Sequence, residues 1–93
     1  MNDDTSKITG PIKEYILAEF LPGEDPAALT DSTPLVTSGV LDSIATLKMV
    51  AFLDSRFNIT IAAHEADVEH MNTVASMVQL VRSKLAEKRV PQP

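Results

Sequence analysis

Apolar side chains recur at intervals of three and four along three stretches of the chain, and each stretch predicts a helix. In the first, Ile12, Tyr15, Ile16 and Phe20 form one stripe. Its start is expected near Gly10-Pro11, because proline is tolerated at the first helical position. Ile8 extends the stripe if a looser turn precedes Pro11, and Leu21-Pro22-Gly23 ends it. The second helix is expected from Ser43 to Phe57. Leu47, Met49, Val50, Leu53 and Phe57 are assigned to its core side, with Ile44, Lys48, Ala51, Phe52 and Ser55 opposite. A last helix starts at Asn72 or Thr73 and carries Val74, Met77, Val78, Val81 and Leu85 at core spacing.

The segments between these helices are of two kinds. From Leu21 to Asp42 the chain reads LPGEDPAALTDSTPLVTSGVLD, whose prolines and glycines rule out a long regular element. A loop of that length in a small domain is either functional or pinned by its own apolar residues. Leu35, Val36, Val40 and Leu41 are suited to pin it, so it is expected to be ordered. Between the second and last helices, Ile59-Thr60-Ile61 is too short to be more than an extended connector, and AAHEADVEHM allows one or two helical turns. The expected fold is all-α, a small bundle of three main helices plus one short helix. Its domain spans 9–86, between a flexible N-terminus (1–8) and a flexible tail (87–93) ending in Val90-Pro91-Gln92-Pro93.

Composition narrows this picture. A chain of 93 residues holds one small core, and 44% apolar residues are enough to form it. Cysteine is absent, so neither a disulfide nor a thiolate metal site can contribute, and aliphatic packing must carry the fold. No apolar run approaches a membrane span, and MNDDTSKITG lacks a signal peptide's pattern; a cytoplasmic location is expected. A net charge of −5 argues against nucleic acid as a partner. The charge is uneven, with two basic and eight acidic residues in 1–47 but four basic and one acidic in 82–93. Basic residues at the end of a last helix suit the negative pole of its dipole.

The candidate chemistry centres on Asp42-Ser43, at the predicted start of the second helix. A nucleophilic serine needs a positioned base, and hydrolases commonly set it in Gly-x-Ser-x-Gly; here the flanks are Asp42 and Ile44. His64 and His70 are the only histidines, and nothing in the spacing brings them to Ser43. Nor do they form an obvious metal pair, because six residues separate them rather than the three or four that align two side chains on a helix. Asp42 or Ser43 can cap the helix, which is ordinary start chemistry. A phosphate ester on Ser43 would also suit that position, since a helix N-terminus presents free N–H groups to an anion. Gly39, just upstream, lets a partner or a prosthetic arm pass close to the backbone.

The run Leu35-Val36-Thr37-Ser38-Gly39-Val40-Leu41-Asp42-Ser43-Ile44, the long loop before it and the aliphatic helix ending at Phe57 resemble the acyl carrier protein family. The similarity extends from about Ile8 to Leu85. It implies that Ser43 is the attachment point of 4′-phosphopantetheine, with Asp42 and Gly39 as flanking elements of that site. A phosphopantetheinyl transferase would install the arm, an ATP-dependent amino-acid or acyl ligase would load it, and a downstream acyl-accepting enzyme would unload it. The protein itself would be a monomeric, non-catalytic carrier. Fatty-acid carriers line the helix after the serine with acids; here the matching surface is read as Ala45, Lys48, Ser55 and Arg56 with only Asp54 acidic, so docking is expected to rest on Ile44, Ala51 and Phe52. The longer connector, the acid at Asp67 and Met71-Asn72-Thr73 are closest in spacing to D-alanyl and related amino-acid carriers, although Met71 stands where an aromatic is common. A carrier for a specialised fatty-acid or polyketide pathway is the alternative, and a helical interaction module without a prosthetic group is the alternative of a different class.

Overall fold

The computed structural model of the protein describes residues 3–89. Four α-helices follow one another: α1 (Asp3–Glu19), α2 (Ser43–Phe57), the single turn α3 (Val68–Met71) and α4 (Val74–Arg89). Short 3-10 turns lie at Pro26–Ala28 and Ala63–Glu65, and the described residues contain no strand. The architecture is the expected all-α bundle, with α4 packed against the other three helices. Of the expected flexible N-terminus at 1–8 and tail at 87–93, residues 3–8 belong to α1 and 87–89 to α4, while 1–2 and 90–93 lie outside the described residues.

Helix α1 begins at Asp3, well before the expected start at Gly10-Pro11. Ile8, Ile12 and Ile16 are spaced by four and are all buried, so one continuous helix satisfies the core at all three. Pro11 sits within that helix and forfeits one backbone hydrogen bond, a cost that the burial of Ile8 helps to offset. Helix α2 has its cap at Asp42, whose side-chain oxygen accepts from the Ala45 N–H at 2.8 Å. It ends at Asn58, in the left-handed conformation (φ 55°, ψ 52°), and the Ile59 N–H bonds back to the Asp54 carbonyl at 3.1 Å. Helix α4 is started by Thr73, which exchanges bonds with Ser76: the Ser76 N–H reaches Thr73 Oγ1 at 3.1 Å and the Thr73 N–H reaches Ser76 Oγ at 3.2 Å.

The core is aliphatic throughout. Ile12, Ile16, Leu35, Leu41, Met49, Leu53, Met71, Val74, Met77 and Val81 are fully enclosed. Each such side chain contributes about 1.5–3 kcal/mol through removal from water. Leu29 and Leu80, not assigned to the core from spacing, are buried as well. Two assignments on α2 are corrected. Leu47, expected inside, is 68% exposed, and Ala45, expected on the outer surface, is buried. At 100° per residue Leu47 lies about 160° round the helix from Met49, and Ala45 only about 40° from it.

The loop between α1 and α2 is ordered by the residues expected to pin it. Leu35 and Leu41 are buried, and Val36 and Val40 pack partly against the core. Polar ties add to this: the Ala75 N–H donates to the Asp31 carbonyl at 3.0 Å, and Lys13 pairs with Asp31 at 2.9 Å. The strongest tie is Asn72. Its Oδ1 accepts from the N–H groups of Leu35, Val36 and Thr37 at 3.2, 2.9 and 3.1 Å, while its carbonyl accepts from the Leu35 N–H at 2.7 Å. Between α2 and α4, Glu65 accepts from the Ala62 N–H at 2.9 Å and pairs with Lys84 at 2.6 Å.

Candidate functional site

Ser43 is the first residue of α2 and is exposed to solvent. The competition between Asp42 and Ser43 for the cap is resolved in favour of Asp42, which leaves the serine hydroxyl with no side-chain hydrogen bond among the described residues. Two consequences follow for its chemistry. Among the described residues no base is hydrogen-bonded to the hydroxyl, the arrangement by which a serine hydrolase activates its nucleophile. Ser43 does stand at the N-terminus of a helix of 15 residues, where the first backbone N–H groups lack intrahelical acceptors and the dipole favours negative charge. A phosphate ester on this oxygen would meet that field without displacing the cap.

The approach to Ser43 is built by the loop. The Leu35 carbonyl accepts from the Leu41 N–H at 2.9 Å and from Ser38 Oγ at 3.3 Å, and the Val36 carbonyl accepts from the Gly39 N–H at 3.1 Å. Gly39 adopts φ 91°, a conformation that side-chain-bearing residues rarely take, and a Cβ built there meets nothing within 4 Å. Its requirement is therefore conformational, with open space left beside the backbone.

The outer face of α2 presents Ile44 and Leu47, each 68% exposed, together with exposed Lys48, Ala51 and Ser55. Val68 on α3 is 50% exposed. Leu47 was not assigned to this surface from the sequence. Phe52, expected there, is half-buried because its ring stacks on Tyr15 of α1. A shallow depression of about 400 Å³ lies beside that stack, bordered by Lys48, Ala51, Ser55 and Arg56. Asp54, the sole acid on α2, spends its Oδ1 on the Ile61 N–H at 3.0 Å. Lys48 and Arg56, both exposed, are the cations of α2.

None of the hydrogen bonds at the other candidate groups among the described residues involves Ser43. His70 Nδ1 lies 2.7 Å from Asp67 Oδ1, and Asp67 also accepts from the His70 N–H at 2.9 Å. These two bonds, the backbone one first, hold the Asp67 carboxyl below its ordinary pKa. His64 is exposed on the turn at Ala63–Glu65. No group of three or more metal-ligating side chains is assembled among the described residues. A cavity of about 550 Å³ lined by Ile8, Arg56, Phe57, Arg82 and Leu85 opens at the C-terminal end of α2, the opposite end from Ser43. No helix among the described residues is long and apolar enough to cross a membrane.

Comparison with known proteins bears on this arrangement. No family profile matches the chain. It is 39% identical over 69 residues to a D-alanyl carrier protein of Streptococcus suis (strain 05ZYH33), a match covering 72% of this chain and 86% of that one. A second D-alanyl carrier protein, from Streptococcus suis (strain 98HAH33), is 38% identical over the same length and coverage. Such proteins are carriers rather than enzymes. On the strength of that identity and coverage, the chain belongs to the D-alanyl carrier protein family of phosphopantetheine carriers.

Proposed function

We propose that the protein holds an activated amino acid, or a comparably small carboxylic acid, as a thioester on a 4′-phosphopantetheine arm joined to Ser43. The observation that carries this reading is the exposed, uncommitted hydroxyl at the N-terminus of α2, behind an ordered loop, in a member of a carrier family. The arm supplies the thiol on which the cargo rides. The chain's own residues have three tasks. Asp42 keeps the helix start intact so that its N–H groups face the phosphate, Gly39 leaves the approach clear, and the fold tethers the cargo at high effective concentration near a docked enzyme.

Docking is assigned to the face of Ile44, Leu47, Lys48, Ala51 and Ser55, with the part-exposed Phe52 at its margin. Its partners are a phosphopantetheinyl transferase, an ATP-dependent ligase and an acceptor enzyme. The face is apolar with cationic edges, so complementary partners offer an apolar recess rimmed by carboxylates, unlike the basic recess that suits an acid-lined carrier. The small-acid reading is supported by the scarcity of acids on α2, where Asp54 is the sole one, and by the D-alanyl carriers named above. A direct test incubates the pantetheinylated protein with candidate ligases, ATP and either amino acids or fatty acids. Hydroxylamine-labile loading by an amino acid is expected. Loading by fatty acids alone would favour the specialised acyl carrier instead.

A further inference from the structure

Three consecutive backbone N–H groups, those of Leu35, Val36 and Thr37, converge on one oxygen, Asn72 Oδ1. Successive N–H groups arranged in this way form a concave, electropositive nest that suits an anion or a strong acceptor. The Thr37 hydroxyl reaches the same oxygen at 3.4 Å. Asn72 lies between α3 and α4, and the nest lies in the loop before α2. One side chain thus couples the junction of α3 and α4 to the loop that precedes Ser43.

The coupling runs through particular peptide units. The peptide whose N–H is that of Val36 carries the Leu35 carbonyl, which accepts from Leu41 and from Ser38 Oγ. The peptide whose N–H is that of Thr37 carries the Val36 carbonyl, which accepts from Gly39. Each unit therefore holds Asn72 at one end and the Ser38–Leu41 segment at the other. Leu41 is adjacent to the cap residue Asp42, and Asp42 to Ser43. Removal of the side-chain acceptor at 72 frees both units at once, leaving the Val36 and Thr37 N–H groups to find water while the Leu35 N–H keeps its bond to the Asn72 carbonyl.

We propose that Asn72 is a positioning residue for the modification of Ser43, holding the 35–41 loop in the one conformation that an incoming phosphopantetheinyl transferase recognises. The inference rests on the carrier reading given above. Loosening the loop lowers the fraction of molecules in the competent conformation. A lowered fraction raises the apparent binding constant in proportion while leaving turnover at saturation intact. Asn72→Ala is expected to raise the KM for the carrier about five- to tenfold, the scale of one or two lost hydrogen bonds, with kcat within about twofold. Asn72→Asp retains the acceptor and adds the negative charge a nest favours, so both constants stay within about twofold of the unsubstituted protein.

The test follows transfer from coenzyme A by intact mass, at a temperature where circular dichroism shows each variant folded. A second measurement needs no variant: amide exchange in the unsubstituted protein, where Val36 and Thr37 are expected to exchange about tenfold or more slower than Ser38 despite their place in a loop. Exchange of those amides at the rate of Ser38 overturns the inference. So does modification of Asn72→Ala with unchanged KM. If the unsubstituted protein accepts no arm while its Val36 and Thr37 amides are protected, the carrier reading itself fails and the modification role falls with it.

Discussion

The ring of Tyr15 lies parallel to that of Phe52, with centroids 4.1 Å apart and planes 8° from parallel, and this stack joins α1 to α2 beside the outward face of the latter. Phe20 completes the contact edge-on to Tyr15, with centroids 5.7 Å apart. Phe52 is thus principally a structural residue with one edge left to a partner. Phe52→Ala is expected to destabilise the fold by about 1–3 kcal/mol, combining lost aromatic contact with partial loss of burial. Urea unfolding followed by circular dichroism measures this.

Ile44 and Leu47 behave in the opposite way. Both are exposed, so Ile44→Ala and Leu47→Ala should change stability by no more than about 0.5 kcal/mol. If they anchor a loading enzyme, each weakens its binding by about 1–2 kcal/mol. Lys48→Glu should chiefly slow association and change its salt dependence, with helix content unaltered. Calorimetry and stopped-flow binding to a ligase that loads the protein distinguish these effects.

The start of α2 can be dissected by neighbouring substitutions. Asp42→Ala removes the bond to the Ala45 N–H and should cost about 1 kcal/mol, the usual value of an N-cap. Ser43→Ala removes no side-chain bond and should leave thermal stability nearly unchanged while abolishing attachment of the arm. Gly39→Ala forces a side-chain-bearing residue to φ 91° and should destabilise by about 1 kcal/mol or more, although space for the methyl group is open. Thermal melts of the three variants give the order.

Acid stability should depend on Glu65. The ammonium of Lys84, hydrogen-bonded to it, and then the Ala62 N–H hold its carboxyl below the ordinary value of 4.5. A lowered folded-state pKa contributes stability that is complete above the unfolded value and is lost as pH falls through the folded one. Lys84 has its pKa raised above 10.5 by the same hydrogen bond, so its contribution is present below that pH and lost above the raised value. The pair therefore supports the fold between about pH 4.5 and 10.5. Lys84→Met should move the acid unfolding midpoint upward, and Glu65→Gln should flatten the pH dependence, both readable by circular dichroism at fixed denaturant.

Much of this organisation was legible in the sequence because it rests on periodicity. The stripe Ile12–Ile16, the α4 stripe from Val74 to Val81 and the pinning role of Leu35 and Leu41 all follow from spacing and burial. The start of α1 was misread because the preference of proline for the first turn was weighed against one hydrophobic residue, Ile8, whose burial the surrounding helices decide. Leu47 was placed inward by its hydrophobicity, against its own angle on the helix. Asn72 was legible as a helix start and as part of the Met71-Asn72-Thr73 resemblance, but nothing marked its tie to the loop. Its role depends on donors 35–37 residues earlier in the chain, and a lone asparagine before Thr73 reads as a helix start. Ser43 was singled out by its neighbours in the sequence rather than by any environment legible there.

The central claim is that the Ser43 oxygen carries the prosthetic arm. Tandem mass spectrometry of the peptide spanning Ser43, from protein isolated from its native cell and from protein incubated with coenzyme A and a broad-specificity transferase, tests it most directly. The account predicts one phosphopantetheine adduct, fragmenting from Ser43 and absent from Ser43→Ala. An adduct on another residue, or folded protein left unmodified in both preparations, would contradict it.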